Sequence, residues 1–356
     1  MLKTPEDIIR SEILAFKGYH VPDHAGMVKL DAMENPYRLP AELMSAVMAR
    51  VAGAELNRYP DFGAAALKAQ LCALMRVPAG MDAILGNGSD ELIQMLMLAV
   101  ARPGAAMLGL EPSFVMFRIL STVAGLNYIS VSLTSEFSID AAATLAAIEQ
   151  HQPALIFVTY PNNPTGNLFD AGVVARIIEA APGLVVVDEA YHAFASASFM
   201  PRLADFPNLL VMRTVSKLGL AGLRLGLLAG RKAWLDQIAK LRLPYNVNVL
   251  TQLAAGEALR HPEVFDAQAA AIRGERARLT AELRRISGVE AFASEANFIL
   301  FRVAGADRIF NGLKQRGILI KNLNGTQPLL TDCLRVTVGT PDENRQFLAA
   351  LAACAA

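Results

Sequence analysis

The chain contains few cysteines, and their placement excludes two kinds of site. Cys72, Cys333 and Cys354 are far apart and odd in number, so reduced thiols in a cytosol are expected and a disulfide framework is excluded. The five histidines and three cysteines show no ligand spacing, which argues against a metal site. No metal is therefore expected.

An excess of one charge and a long apolar run are also missing. Lys+Arg and Asp+Glu both number 33, and without a basic stripe no nucleic-acid partner is expected. No apolar run reaches the roughly 18 residues that span a bilayer, and residues 1–7 lack the layout of a signal peptide, so a cytoplasmic protein without a membrane partner is expected. The 356 residues, 53% apolar, exclude a disordered chain and suffice for two domains.

Short apolar runs alternate with helical stretches between residues 85 and 230. The runs are continuous, as is typical of strands buried on both faces of a mainly parallel sheet. They lie at 105–108, 128–131, 154–158, 184–187 and 209–212. Helical stretches such as 141–150 and 171–180 separate them. The pattern predicts an α/β fold, with helices on both faces of a mostly parallel central sheet.

The remainder of the chain predicts a smaller α+β domain and an arm. Long helices are expected within 231–287, then shorter strands and a final helix at 341–353. The proline-broken first 40 residues lack periodicity and read as a surface arm. The predicted division is 1–40 for the arm, which packs with the small domain, 41–245 for the large domain, and 246–356 for the small C-terminal domain.

Three of the predicted sheet strands lead directly into polar residues. Asn163 follows the strand near 154–159, Asp188 ends the strand at 184–187 with Tyr191 just beyond, and Lys217 follows the strand near 208–214. In open α/β sheets, ligands bind at the carboxyl ends of the strands. A lysine placed there is a candidate carbonyl-trapping amine of Schiff-base chemistry.

A glycine-rich segment, 86–91, precedes a predicted helix at 92–102. Its glycines allow close approach of a ligand to the backbone, and Ser89 or Asp90 is expected to cap the helix. The free N–H groups at a helix start form an anion site. Taken alone, the segment fits an ordinary loop with a helix N-cap better than a ligand site.

Each of the other residues also has an ordinary structural role when it is taken singly. Asp188 and Asn163 fit turns, Tyr191 fits a buried aromatic position, Arg224 fits a surface ion pair, and Lys217 fits a snorkelling strand end. Their occurrence together, in complementary chemical types, is what favours a ligand site.

The ordered set resembles the fold type I pyridoxal-phosphate aminotransferases. The motifs that carry the resemblance are 161–166 (PNNPTG), 188–191 (DEAY), 216–217 (SK) and 222–226 (GLRLG). Within that family, segments 57–61, 86–91 and 333–340 are most similar to the histidinol-phosphate aminotransferases. The resemblance covers nearly the whole chain and implies pyridoxal 5'-phosphate as the cofactor.

The resemblance also implies catalytic roles. Lys217 would hold the cofactor covalently and then move the proton of the reacting carbon. Asp188 would pair with the pyridine nitrogen and keep it protonated. Asn163 and Tyr191 would hydrogen-bond the ring oxygen.

Further positions match cofactor contacts of that family. Phe114 matches the ring that stacks on the pyridine face. Tyr59 matches a tyrosine sent to the neighbour's phosphate, which implies a homodimer with shared sites. The residues that would hold the phosphate are Gly88, Ser89, Asp90, Ser216 and Arg224.

Arg335 is the implied substrate anchor. Its guanidinium fork suits the α-carboxylate of glutamate in one half-reaction and the phosphate of histidinol phosphate in the other. Lys321 stands where many family members have a second phosphate-binding arginine, and it keeps the charge without the fork. Tyr19 and Asn297 match positions that line the substrate pocket.

The expected reaction is amino transfer between histidinol phosphate and 2-oxoglutarate in histidine biosynthesis. An aromatic amino-acid aminotransferase and a threonine-phosphate decarboxylase share the same cofactor motifs and stay open as alternatives. A non-catalytic ligand-sensing protein of the same fold is a third, opposed by the joint presence of Lys217, Asp188 and Arg224.

Overall fold

The computed structural model describes residues 3–16 and 22–355. Tyr19 lies outside these residues, so its substrate contact stays a prediction. The strands are β1 Val28–Lys29, β2 Asp82–Gly86, β3 Ala106–Glu111, β4 Asn127–Ser132, β5 Leu155–Thr159, β6 Leu184–Asp188, β7 Leu209–Thr214, β8 Gly226–Gly230, β9 Val289–Ala291, β10 Phe298–Val303, β11 Ile318–Leu319, β12 Lys321–Asn322 and β13 Cys333–Thr337.

The α-helices pack against the two larger of the three sheets among the described residues. They are α1 Pro5–Ile8, α2 Ser11–Leu14, α3 Ala41–Ala52, α4 Ala65–Leu74, α5 Ser89–Val100, α6 Met116–Ala124, α7 Ala141–His151, α8 Ala171–Ala180, α9 Lys232–Ile238, α10 Val249–Ala258, α11 Pro262–Leu283, α12 Ala306–Gln315 and α13 Pro341–Ala355. Within the described residues, no helix is long and apolar enough to cross a membrane.

Seven strands form the central sheet, in the order β2-β8-β7-β6-β5-β3-β4. Only β8 runs against its neighbours; the pairs among β3 to β7 are parallel. Successive residues of β6 enter the cores on opposite faces: Val185 and Val187 on one, Leu184 and Val186 on the other. The predicted mostly parallel sheet, buried on both faces, is confirmed.

Two strands of this sheet, β2 and β8, are absent from the sequence-based prediction. Glycine at their ends resembles loop composition. A Cβ atom on Gly226 would lie 2.8 Å from the backbone nitrogen of Ser89, and one on Gly86 would lie 2.6 Å from Leu92 Cγ. Close packing of the 86–91 segment on the sheet therefore requires these glycines.

A four-stranded antiparallel sheet, in the order β12-β13-β10-β9, forms the C-terminal part. The arm joins this part, because β1 pairs in parallel with β11 and Leu30 enters the core between the small sheet and its helices. Helix α10 instead packs into the core of the large sheet, with Ala254 and Ala255 buried there. Contacts therefore cross the predicted boundary at 245/246, and the three-part division stays a prediction.

A buried ion pair joins the carboxyl ends of β6 and β7, next to Asp188. Arg213 Nη2 lies 2.7 Å from Glu189 Oε2, and the two side chains are 9% and 1% exposed. Arg213 also donates to the carbonyl of Met75, and Ser198 donates to Glu189. Each charge is satisfied by several hydrogen bonds, as a buried pair requires.

We predict that Arg213→Met lowers the free energy of unfolding by about 3–5 kcal/mol, because it leaves the Glu189 carboxylate buried without its cation. Chemical denaturation measures the loss. The matched control is Arg345→Met, which removes an exposed pair with Asp342 and should change stability little. Equal losses in the two variants would contradict the role given to the buried pair.

Candidate active site

A pocket of about 380 Å³ opens at the carboxyl ends of the parallel strands. It brings together nine of the residues predicted from the sequence. They are Ser89, Asp90, Phe114, Asn163, Asp188, Tyr191, Ser216, Lys217 and Arg224. Gly88 adjoins it, since a Cβ there would lie 2.7 Å from Arg224 Nη2. The placement agrees with ligand binding at the carboxyl edge of an open α/β sheet.

Asp188 is the last residue of β6, and its side chain is buried in the pocket floor. One carboxylate oxygen accepts a hydrogen bond from the Ala190 N–H at 3.0 Å. Burial raises the pKa of Asp188 to about 7, because the charged form loses its hydration. A cationic N–H group placed against this carboxylate would restore its charge.

Tyr191, Asn163 and Arg335 form a hydrogen-bonded chain beside Asp188. Asn163 Nδ2 donates to Tyr191 Oη at 3.1 Å, and Arg335 Nη1 donates to Asn163 Oδ1. Burial raises the pKa of Tyr191, while the Arg335 charge acts in the opposite direction. The phenol thus stays protonated near neutral pH and is available as a donor.

Lys217 lies in a π-helical turn, Ser216–Leu220, directly after β7. Gly219 at φ 126° allows this turn, since side-chain-bearing residues rarely adopt that conformation. Lys217 Nζ donates to the Ala32 carbonyl at 3.1 Å. Burial, followed by the Arg335 charge, lowers the pKa of Lys217 to about 8. A substantial neutral fraction at mildly alkaline pH makes this lysine a nucleophile and a base.

The glycine-rich segment forms one end of the pocket, at the start of helix α5. Helix α5 begins at Ser89, with Gly88 at its N-cap at φ 85° and no side-chain cap bond. The prediction that Ser89 or Asp90 caps the helix is therefore wrong, and Gly88 takes the position because its backbone is left-handed. Arg224 Nη2 lies 3.3 Å from Asp90 Oδ2. First-turn N–H groups and a guanidinium thus converge there.

Phe114 forms an apolar wall of the same pocket. Its ring packs edge-on against Phe117 at 5.6 Å, and Phe117 in turn stacks on Phe157 at 4.3 Å. This backing holds the Phe114 ring in place. An aromatic wall suits a flat heteroaromatic ligand.

Arg335 and Lys321 lie opposite each other in the small sheet. Burial and the Arg335 charge lower the pKa of Lys321. Arg335 Nη2 donates to the Asp31 carbonyl at 3.1 Å. The two residues therefore concentrate positive charge beside the Asn163–Tyr191 chain.

Residues 31–35, here called the strap, form a pocket wall that the sequence reasoning missed. Ala32, Met33 and Glu34 line the pocket. Tyr191 Oη donates to Met33 Sδ at 3.1 Å. The segment has neither helical nor strand periodicity, and its partners lie far away in sequence. The polar residues around Pro36 were the only available signal.

Besides Gly88, which adjoins it, four predicted residues of the described chain do not line the pocket: Arg335, Lys321, Asn297 and Tyr59. Asn297 is fully buried, and its Nδ2 donates to the Met33 carbonyl at 2.9 Å, so it supports the strap. Tyr59 is 80% exposed and stacks on Tyr245 with ring centroids 4.4 Å apart. Their contacts with substrate and with a neighbour's cofactor stay predictions.

The arrangement fits the cofactor that the sequence resemblance implies. The buried Asp188 suits a protonated ring nitrogen, and the Lys217 amine suits an aldehyde. The space that Gly88 leaves free is occupied by the Arg224 guanidinium, at the end suited to a phosphate. The ring nitrogen, the aldehyde and the phosphate of one molecule thus each have a complementary side chain in this pocket.

Comparisons with known proteins agree with this chemistry. The family model described as "Aminotransferase class I and II" matches residues 25–351. The chain is 55% identical over 353 residues to histidinol-phosphate aminotransferase 2 of Cupriavidus pinatubonensis, covering 98% of this chain and 96% of the relative. It is 53% identical over 351 residues to the histidinol-phosphate aminotransferase of Chromobacterium violaceum, covering 99% of each.

A solved structure has the same fold. It is that of histidinol-phosphate aminotransferase from Sinorhizobium meliloti in complex with pyridoxal-5'-phosphate. The TM-score is 0.86 at 23% identity, and the match covers 98% of this chain and 97% of that chain. The likeness extends through both sheets.

We predict that Lys217 reacts with formaldehyde and cyanoborohydride far faster at pH 8 than an ordinary lysine in the cofactor-free protein. The pKa of Lys217 is about 8, so about half of the Lys217 amines are neutral at pH 8. The matched control is Lys232, whose pKa is raised by Asp236 and which stays charged. Peptide mass spectrometry measures both labels between pH 6 and 10. Parallel pH profiles for the two lysines would contradict the lowered pKa.

Proposed function

Because the chain belongs to the class I and II aminotransferases, we propose that it transfers the amino group of histidinol phosphate to 2-oxoglutarate. The products are imidazole-acetol phosphate and glutamate, and the reaction belongs to L-histidine biosynthesis. The observation that carries the proposal is identity above half to histidinol-phosphate aminotransferases along nearly the whole chain. Pyridoxal 5'-phosphate supplies an aldehyde for the amine and a conjugated ring that takes up electrons from the reacting carbon.

Lys217 is the proposed base. Its amine would hold the cofactor, and the freed amine would carry the proton that leaves the amine-bearing carbon of the substrate. The lowered pKa keeps a usable neutral fraction near physiological pH. The Ala32 carbonyl holds Nζ at the pocket wall.

Asp188 is the proposed partner of the ring nitrogen. Its burial disfavours a lone negative charge, so the carboxylate retains a proton at the nitrogen with which it pairs. Asn163 and Tyr191 would donate to the ring oxygen, and Phe114 would pack on the ring face. These three residues would together orient the ring relative to Lys217.

The phosphate of the cofactor would bind at the start of α5. Backbone N–H groups of Ser89 and Asp90, the Ser216 hydroxyl and the Arg224 fork would hold it, and Gly88 allows the close approach. The Asp90–Arg224 contact of 3.3 Å orients the guanidinium.

Arg335 would anchor the substrate anion, either a phosphate or an α-carboxylate, with Lys321 as the second cation. Lys321 lacks the planar fork of arginine, and a point charge serves a dianionic phosphate as well as a carboxylate. Asn297 would contribute by holding the strap, and Tyr19 would reach the same substrate region.

A homodimer would complete the site with Tyr59 of the second copy. Exposed apolar side chains include Met48, Leu56 and Leu243 besides Tyr59, and the Tyr59 ring stacks on Tyr245. The segment that carries Tyr245 adjoins the glycine-rich end of the pocket, because Asn246 Nδ2 donates to Glu91 Oε2 at 2.6 Å, and the same carboxylate accepts from the Asn87 N–H. A two-fold axis beside this segment would bring each Tyr59 toward the other copy's phosphate end.

We also propose that the protein is cytoplasmic. A further proposal is the division of the chain into an arm, a large domain and a small domain. The three cysteines are free, as a reducing compartment allows. One face of the small sheet has a core of its own, which contains Ile299 and Phe301 of β10, and this core supports the division.

The test of the function is a substrate comparison on the cofactor-loaded enzyme. We predict that kcat/KM for histidinol phosphate exceeds that for phenylalanine and that for threonine phosphate by at least about a hundredfold, because both ends of the substrate find matched groups. Lys217→Ala should abolish amino transfer and covalent attachment of the cofactor, whereas Lys232→Ala should change neither.

A preference for phenylalanine would favour an aromatic aminotransferase, and release of carbon dioxide from threonine phosphate would favour a decarboxylase. Either result would overturn the substrate while leaving the cofactor chemistry intact. Full turnover by Lys217→Ala would overturn the chemistry as well.

The dimer is tested by complementation between two inactive variants. If Tyr59 acts across the interface, mixing Tyr59→Ala with Lys217→Ala subunits should restore about a quarter of wild-type activity. A random mixture is half hybrid dimers, and each hybrid has one complete site. Activity of the mixture no higher than the average of the two variants would show that Tyr59 serves its own chain.

A further inference from the structure

The pocket contains a carboxylate that the proposed chemistry does not use. Glu34 lines the pocket from the strap, together with Lys217 and Phe114. Its side chain is 49% exposed, so its oxygens are accessible from the pocket. Cofactor binding needs a carboxylate at the ring nitrogen, and Asp188 supplies that one. A second carboxylate in this wall is therefore available for another ligand group.

Glu34 is paired with Lys29, the last residue of β1. Lys29 Nζ contacts Glu34 Oε2 and also lies 3.3 Å from Asp31 Oδ1. The ammonium thus has two anionic partners on the same segment. If Glu34 moves away to contact a ligand, Lys29 can still pair with Asp31. If Lys29 moves away instead, Glu34 loses the only cation among these three residues. The pair can therefore offer a ligand either the negative Glu34 carboxylate or the positive Lys29 ammonium.

The backbone around the pair is fixed. Asn297 Nδ2 holds the Met33 carbonyl at 2.9 Å, and Asn35 Nδ2 donates to the Leu218 carbonyl at 2.7 Å. Arg335 Nη2 holds the Asp31 carbonyl. The pair therefore lies at a set position next to the proposed substrate anchor, and only its two side chains have to move.

Each of the two proposed substrates carries, besides the anion bound at Arg335, a distal group that needs a partner of its own in the site. With the phosphate or α-carboxylate on Arg335 and the reacting carbon at Lys217, histidinol phosphate presents an imidazole N–H and 2-oxoglutarate presents a second carboxylate. These groups have opposite requirements. An imidazole N–H needs an acceptor, and a carboxylate needs a cation.

We propose that the Lys29–Glu34 ion pair recognises the distal groups of both substrates, with Glu34 accepting from the imidazole and Lys29 binding the distal carboxylate. This inference rests on the proposed function. One pair of side chains then serves both half-reactions. When a substrate binds one of the two residues, the Lys29–Glu34 contact breaks.

The test is a crossed comparison of two variants. Glu34→Gln should raise KM for histidinol phosphate about tenfold and leave KM for 2-oxoglutarate unchanged or lower, because a charge-assisted hydrogen bond is lost only in the first case. Lys29→Met should raise KM for 2-oxoglutarate at least about tenfold, because Glu34 is left to repel the distal carboxylate, with histidinol phosphate little affected. Glu34→Asp keeps the charge and should retain most of the discrimination.

A pair that only holds the strap would give a different pattern. Both variants would then raise both KM values together and lower the melting temperature alike, and that result would overturn the proposal. Lys232→Met, which removes an exposed pair with Asp236, gives the baseline for loss of an ion pair. If wild-type enzyme fails to turn over histidinol phosphate, the proposed function fails; if it does so but the crossed pattern is absent, only this inference fails.

Discussion

The burial of charge at the carboxyl edge of the central sheet is the constraint on which the site depends. Asp188 and Lys217 lie on neighbouring strand ends, and burial moves the pKa of each toward neutrality, upward to about 7 and downward to about 8. Without a ligand, burial destabilises the charged form of both side chains. The same desolvation that weakens both charges prepares one to accept a cationic nitrogen and the other to act as an amine.

The parts of the fold with strong local patterns could be predicted from the sequence. The continuous apolar runs predict the parallel sheet, and the polar residues after β5, β6 and β7 predict the pocket. The glycine-bounded β2 and β8 could not be predicted, because glycine signals loops unless a close neighbour is known. The cap of α5 was misassigned for the same reason, since Gly88 takes it through backbone conformation and not through a side chain.

The strap could not be predicted because its contacts are remote in sequence. Lys217 reaches Ala32 across 185 positions, and Arg335 reaches Asp31 across 304. No local periodicity encodes such contacts. Glu34 is a pocket residue only because these distant groups fix its backbone, and Asn297, expected to touch substrate, holds that backbone from behind.

The separation between strap and anchors also orders events during synthesis. The ribosome delivers the strap first, then the sheet that carries Asp188 and Lys217, and Arg335 only near the end. The large sheet can form as soon as its last strand, β8, has emerged. The wall made by the strap has to wait for β11, which pairs with β1 just before the strap, and for β13, whose Arg335 holds the Asp31 carbonyl. The pocket wall is therefore completed by β13, the last strand to be made, and a growing chain carries Lys217 in an open, unfinished site.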